Sequence, residues 1–376
     1  VTTLHSIYQT RRKKVAQVLK QRGIHAVRFM DFESMRNPAI RYLCGHPGDA
    51  LLIISSDEKA ILVPWDVNMA EKMAFADLIL PYTKFGRSAI AATRSVLQEL
   101  AIPGGSKIEV SEATAYPDYV DLVSELEAWD FICEKGGIDA EILKMRAAKD
   151  EGELEIYERA SALTNYLIDA IEQKVKSGEI TTELDAALFI EKECRTHGAE
   201  KTGFDTIAAG PSRSFGIHAF PSYGSGPFAT KGLSILDFGI VVDGYTSDVT
   251  MTFAKGPLNK EQEKMLTLVQ QAYDLAVAAC KPGIRSRDIA MLVDDFFKEA
   301  KMTMPHSLGH GIGLEAHEAP GVNIRDDNDA VLVPGHIITI EPGLYHPEFG
   351  GVRLENDVLI TKDGGKVLTS SRIVRL

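Results

Sequence analysis

Five side chains in the last third of the chain carry the types and spacing of a two-metal site: Asp237, Asp248, His310, Glu341 and Glu355. They sit in LDFG (236–239), TSDVT (246–250), LGHGIG (308–313), ITIEPG (338–343) and VRLEND (352–357), stretches that otherwise read as buried strand or tight turn. Carboxylates on apolar strands are costly unless something cancels their charge. Two divalent cations would cancel it. A set of four carboxylates and one imidazole is hard and oxygen-rich, which suits Mn²⁺ first and also Co²⁺, Fe²⁺ or Zn²⁺. Structural zinc would bring more Cys and His. Bridging carboxylates hold such metals about 3.5–4 Å apart around a shared water or hydroxide. That water ionises near pKa ~7. The chemistry implied is hydrolysis.

The elements around these residues must bring them together. Asp237 and Asp248 lie eleven positions apart in LSILDFGIVVDGYTSDVTMTF, with the hairpin signal Asp243-Gly244 between them. A turn there pairs Val242 with Tyr245 and sets Gly239 opposite Asp248. Asp237, two residues from Gly239, then shares that face as a diagonal neighbour of Asp248. Glu341 and Glu355, fourteen positions apart, flank a loop bracketed by Pro342, Gly343, Gly350 and Gly351. This is a second strand–loop–strand unit with an acid on each arm. Arg353 shares the face of Glu355. Its fork either pairs with a ligand carboxylate or holds a substrate carboxylate. His310 lies among Gly309, Gly311 and Gly313, which permit close backbone approach. A nucleotide-binding loop would need a preceding apolar strand and a following long helix, and neither is seen. His306 and His317 lie nearby, and three histidines in twelve residues exceed what packing needs. One metal ligand and two site residues account for them.

The remaining sequence supplies an α/β domain over 1–135 and an α+β domain over 136–376, divided at EKGGIDA. In the first, a helix over 5–22 stops at Gly23. Strands follow at 26–30, 51–55 and 60–64, and helical patterns at 66–75 and 88–100. Its His25 and His46 are isolated and read as structural. In the second, Asp150 and Glu153 form a capping box ahead of the stripe Leu154, Tyr157, Ala160, Leu163, Leu167 and Ile171. Helices are also expected at 182–197, 260–280 and 286–301, packed on antiparallel sheet.

Composition narrows the function classes. A net charge of −12 argues against nucleic acid as a partner. The basic run Arg11-Arg12-Lys13-Lys14 reads as a solvated helix face. No stretch approaches the ~20 apolar residues of a membrane span. The opening VTTLHSIYQTRRKKV carries no apolar run of the secretory kind. Four scattered cysteines without a CxxC read as reduced thiols, so a cytoplasmic location is expected.

The ordered set Asp, Asp, His, Glu, Glu resembles the ligands of the pita-bread metallopeptidases: methionine aminopeptidase, prolidase, aminopeptidase P and metal-free creatinase. The resemblance is strong over 140–376. The 1–135 segment is similar to the creatinase/prolidase N-terminal domain. Within the family, His306-x-x-x-His310 followed by His317, the Arg353-x-Glu355 pair and the presence of an N-terminal domain favour the proline peptidases. His218 in FGIHAFPS matches the family's substrate-side histidine. The resemblance implies a pita-bread catalytic domain, an antiparallel sheet covered by helices. It implies two divalent metals on Asp237, Asp248, His310, Glu341 and Glu355, and attack by a metal-bridging hydroxide on an Xaa-Pro bond. Glu341 would shuttle the proton, and His317 and His218 would hydrogen-bond the scissile carbonyl. His306 would line the proline pocket and Arg353 would help hold substrate. The implied partners are a small peptide with proline second and a second copy in a homodimer. Where many relatives carry an Asp-x-Arg-Tyr-like stretch, this chain has VPWDVNMAEK (63–72). The alternatives are a same-fold methionine aminopeptidase or small-amide hydrolase such as an ectoine hydrolase, and a non-enzymatic binding protein.

Overall fold

Residues 4–376 are described by a computed structural model, in which the chain divides into one unit through Arg146 and another from Ala147 to Leu376. The Gly136-Gly137 break in the sequence lies just ahead of the helix that ends the first unit.

In that unit, helix α1 (Leu4–Arg22) stops where Gly23 enters the left-handed region at φ 67°. Strand β1 (Ala26–Asp31), helix α2 (Pro38–Cys44), strands β2 (Ala50–Ser55) and β3 (Ala60–Pro64), helix α3 (Val67–Met73) and strand β4 (Leu78–Ile79) follow. Then come α4 (Ala89–Glu99), β5 (Lys107–Val110), α5 (Tyr116–Glu125), β6 (Asp130–Ile132) and α6 (Ile138–Ala147). The strands form one mixed sheet in the order β4-β3-β2-β1-β5-β6. The basic run on α1 meets the sequence expectation at Lys13 and Lys14, which are exposed, and corrects it at Arg11 and Arg12. Arg11 and Arg12 are buried and donate to the carbonyls of Tyr42 and Leu43 at the end of α2. Carbonyls at a helix C-terminus lack intrahelical donors, and two guanidinium groups supply them.

The second unit opens with α7 (Glu151–Ser177), started by the Asp150/Glu153 capping box, and α8 (Glu183–Thr196). Strands β7 (Lys201–Thr202), β8 (Ile207–Ala209), β9 (Gly232–Phe238), β10 (Ile240–Val242), β11 (Tyr245–Thr246) and β12 (Val249–Lys255) follow. Helices α9 (Lys260–Ala279) and α10 (Ser286–Glu299) precede β13 (Gly309–Gly311), β14 (Glu318–Val322), β15 (Ile337–Ile340), β16 (Gly343–His346) and β17 (Gly350–Arg353). The chain ends with β18 (Asn356–Thr361), β19 (Gly364–Val367) and β20 (Ile373–Arg375).

Two sheets carry the acids, β20-β12-β9-β8 and β14-β13-β15-β18-β19. Strand alternation sorts their faces. On β9 and β12, Leu236, Phe238, Val249, Met251 and Phe253 pack with α7 and α8. On β15 and β18, Ile338, Ile340, Val358 and Ile360 pack with α9 and α10. Asp237, Thr250, Thr339, Glu355 and Asp357 alternate with these and take the opposite faces. An isolated bridge between Thr250 and Glu355 joins the two sheets there.

Both register expectations can be read against the pairing. Val242 does pair with Tyr245, and the same register carries on through Phe238↔Val249 to Asp237↔Thr250. Between Glu341 and Glu355, the expected loop is mostly a hairpin. Gly343 pairs with Arg353 and His346 with Gly350, leaving residues 347–349 as the turn.

The glycines around His310 are needed for backbone approach. A Cβ at Gly309 would collide with the Thr339 carbonyl on β15, and one at Gly311 with the Ala319 carbonyl. Replacing Gly309 with Ala is expected to cost at least about 1–3 kcal/mol, the usual range for overpacking. Gly104→Ala, whose Cβ would meet only an ordinary 3.5 Å neighbour, is expected to stay within about 0.5 kcal/mol. Urea unfolding of both variants checks the contrast; equal losses would refute it.

Candidate metal centre

Asp248, on the segment between β11 and β12, His310 on β13 and Glu355 between β17 and β18 present one ligand atom each within 4.8 Å of one another. Glu341 joins them across His310, its Oε1 lying 3.5 Å from Nε2 of the imidazole, while Asp248 Oδ2 lies 3.7 Å from the same nitrogen. Asp237 stands diagonally across the β9/β12 pair from Asp248, as the hairpin register requires. The structure thus gathers three of the five expected ligands tightly and brings Glu341 to their edge. Asp237 lies outside that group and is paired with an arginine.

That arginine is Arg353, whose side chain is almost fully buried. Nη2 donates to Asp237 Oδ2, Nη1 to the Ile217 carbonyl and the Tyr345 hydroxyl, and Nε to Thr250 Oγ1. Of the two readings open from the sequence, pairing with a site carboxylate is the one realised. Four of the five N–H donors of its guanidinium are used inside the protein. Asp237 keeps its other oxygen, Oδ1, buried without any hydrogen-bond partner.

The electrostatics follow from crowding. Burial, then the neighbouring Glu355 and Asp237, push the Asp248 carboxyl well above its ordinary range. Burial and Glu355 do the same to Glu341. Glu355 is pushed up to about 7 by burial and then by Asp237. Asp237 is also raised by burial, although Arg353, His218 and His317 oppose the shift. On their own these acids are all shifted toward the protonated form. A cation removes that shift, because the ionised carboxylates then have an opposite charge to face.

The imidazoles are complementary. Burial holds His310 down to about 4, with His317 adding to the effect. The ring is therefore neutral near pH 7. A proton on Nδ1 donates to the Gly311 carbonyl at 3.1 Å and leaves the Nε2 lone pair facing the acids. His306 is likewise held down to about 4 by burial and Arg353. Its Nδ1 bonds the Ser307 carbonyl and its Nε2 the Tyr345 hydroxyl at 3.0 Å, so both nitrogens are engaged. His317 is exposed, and its ring centroid lies 4.2 Å from that of His310. His218 is exposed too, on the segment between β8 and β9.

Four residues that sequence reasoning passed over complete the surroundings. The Thr250 hydroxyl donates to Glu355 Oε2 at 2.7 Å and accepts from Arg353. The Thr339 hydroxyl accepts from the His310 backbone N–H and bonds Glu355. Tyr345 links Arg353 to His306. Asp357, fully buried, accepts from the Asp248 backbone N–H at 3.3 Å. The hairpin register does signal Thr250, since it stands opposite Asp237; the others have no local pattern.

These residues fit divalent cations on three counts. The donor set is hard, one buried carboxylate oxygen has no partner, and the acids repel one another without a positive charge among them.

The profile of metallopeptidase family M24 matches residues 155–362. The Xaa-Pro dipeptidase of Pyrococcus horikoshii is 30% identical over 368 residues, covering 96% of each chain. That of Pyrococcus furiosus is 32% identical over 364 residues, covering 94% of this chain and 99% of its own. Among solved structures, the P. horikoshii prolidase superposes with a TM-score of 0.83 at 30% identity, covering 96% of this chain and 98% of that one. The X-Pro aminopeptidase of Thermotoga maritima gives 0.83 at 26%, covering 97% and 99%. The pita-bread fold expected from the sequence is the fold shared with these structures. A family profile over more than half of the chain, with relatives that match nearly all of it, establishes that the chain belongs to metallopeptidase family M24.

Proposed function

We propose that this protein is a dinuclear metal-dependent hydrolase of Xaa-Pro peptide bonds, of the dipeptidase or aminopeptidase P type. The observation that carries the reading is the pairing of a buried acid–imidazole cluster with histidines set at its accessible side. Asp248, His310 and Glu355 converge within 4.8 Å, with Glu341 beside them, while His317 lies tilted beside His310 and is exposed. The relatives named Xaa-Pro dipeptidase match nearly the whole chain, which supports the substrate class.

Two divalent cations, Mn²⁺ first, held by Asp237, Asp248, His310, Glu341 and Glu355, would polarise the scissile carbonyl and bring water's ionisation near neutral pH. The chain's own residues then have separate tasks. Glu341 is the only one of the four acids that is not fully buried. Its carboxylate takes the water proton at Oε and delivers it to the leaving proline nitrogen. An Xaa-Pro bond has no N–H to donate, so recognition rests on its carbonyl and its ring. His317 and His218 donate to that carbonyl as negative charge develops on its oxygen. His306, fixed through both nitrogens, offers its ring edge to the proline side. Arg353 acts through Asp237 and Tyr345, since four of its five N–H donors already bond within the protein.

The defining test is a screen of Ala-Pro, Gly-Pro, a Met-Ala peptide and an Xaa-Pro-Xaa tripeptide with each of Mn²⁺, Co²⁺, Zn²⁺ and Fe²⁺. Cleavage confined to the proline substrates is expected; turnover of the Met-Ala peptide alone would overturn the substrate assignment. Removing and restoring metal gives a second check. Mn²⁺ at about 100 times its dissociation constant should stabilise the metal-free protein by about 2.7 kcal/mol, seen as a rise in unfolding temperature. Asp248→Ala should abolish that rise, lower bound metal on elemental analysis and reduce turnover at least about 100-fold. Undiminished metal content and activity in this variant would sink the ligand assignment.

A further inference from the structure

His218 sits in a loop closed at its neck by one buried carboxylate. Glu183, the first residue of α8, is 1% exposed and accepts four hydrogen bonds. Oε1 takes the backbone N–H of Gly210 at 2.7 Å and Nε of Arg213 at 3.0 Å. Oε2 takes the backbone N–H of Gly224 and Nη2 of Arg213, both at 2.8 Å. Gly210 and Gly224 are the two ends of the loop, so a single side chain ties them together. Arg213 braces the loop's interior by donating Nη1 to the Pro221 carbonyl at 2.8 Å. His218 lies between these two residues. The carbonyl of Ile217, the residue before it, accepts from Arg353 at 2.9 Å.

The chain of ties therefore runs from α8 to the acid cluster: Glu183 to Arg213, the loop backbone to Arg353, Arg353 to Asp237. A buried carboxylate is expensive unless its acceptor sites are filled. Here the loop's own donors fill them, so opening the loop would strand the charge. Close packing leaves little slack. A Cβ at Gly210 would collide with the Pro227 carbonyl, and a Cβ at Gly224 would lie 3.4 Å from the Glu183 carboxylate. Loops otherwise tend to be the mobile parts of a fold. An exposed histidine that must meet a carbonyl during reaction needs such a loop held still.

We infer that Glu183 and Arg213 are positioning residues that lock the 210–224 loop and so hold His218 over the acid cluster without touching substrate. The inference rests on the substrate-side role of His218 given under Proposed function.

A double-substitution cycle on the full chain with Mn²⁺ and the proline peptide cleaved in the screen tests it, with amide exchange as a second readout. Glu183→Gln puts an amide N–H₂ among donors. It is expected to speed exchange over 211–223 and leave bound metal unchanged. It should also lower kcat about ten-fold, with KM changed less than about three-fold. In a His218→Ala background the same substitution should lower kcat less than about two-fold, because the residue it acts through is already gone. If Glu183→Gln does not fold, Arg213→Lys carries the test, since it keeps the charge and loses the fork. Unchanged exchange over 211–223, or losses that multiply in full with His218→Ala, would overturn the inference. An unimpaired His218→Ala would instead overturn the role given to His218, and the catalytic sense of the clamp with it.

Discussion

Mutual repulsion among carboxylates that water cannot screen is the constraint on which the second unit is built. At an effective dielectric of about 20, two unit charges ~4 Å apart interact by roughly 4 kcal/mol. Asp248 feels Glu355, Asp237, Asp357 and Glu341 at once. A fold that holds such a group together must oppose the repulsion through covalent geometry and packing, or through positive charge. Arg353 supplies one fixed positive charge and supplies it asymmetrically, to Asp237. Thr250 and Thr339 supply neutral donors to Glu355. Glu341 and Glu355 feel the Arg353 charge only through space, and the influences on Asp248 are burial and neighbouring acids. The deficit lies next to His310, and there divalent ions best satisfy both the charge and the donor geometry.

The packing that resists this repulsion is supplied by the reverse faces of the same strands. Phe238 and Val249 pair across β9 and β12 and point toward α7 and α8. Asp237 and Thr250, one step along, point the other way. The side-chain period of a strand is two, so a slip by one residue would bury the acids under the helices and expose the aromatics. The hydrophobic cost of that slip fixes the register, and the register fixes the distances between carboxylates. The same reasoning holds for β15 and β18, where Ile338 and Val358 pair on the helix side while Thr339 and Asp357 pair on the other. Stability and function are thus set by one alternation. Destabilising substitutions in Phe238 or Ile338 would act on the site as well as on the core.

How much was legible depends on whether the information is local. The Asp243-Gly244 turn fixed a register that is resumed at Phe238↔Val249 and Asp237↔Thr250 after a break in the ladder, so that the facing of Asp237 followed from counting. The Asp150/Glu153 capping box and the long helices were legible for the same reason: their signals lie within a few residues. The helices α2 and α5 were missed, although α3, as short as α2, was legible. Arg11 and Arg12 misled because a basic run on a helix is ordinarily solvated, and the partners that bury them, Tyr42 and Leu43, are thirty-one positions away. Tyr345, Asp357 and the Glu183–Arg213 clamp were invisible for a related reason. Each matters through a contact made in space, and nothing in its own neighbourhood announces the partner.

Burial also separates the histidines by task. His310 is enclosed, held neutral, and turned by the Gly311 carbonyl so that its free lone pair faces the acids. Those are the needs of a ligand that stays in place. His317 and His218 are exposed, yet both lie close enough to oppose the rise of the Asp237 carboxyl. An exposed imidazole keeps its capacity to donate to something that arrives from solvent, and it loses little solvation until that happens. His306 lies between these extremes, with both nitrogens bonded within the protein. It can therefore offer shape but no free donor, as suits a ring that meets another ring. In the proposed function the acids would fix where the reaction occurs, and the grading of exposure from His310 outward would fix which groups remain available for the substrate.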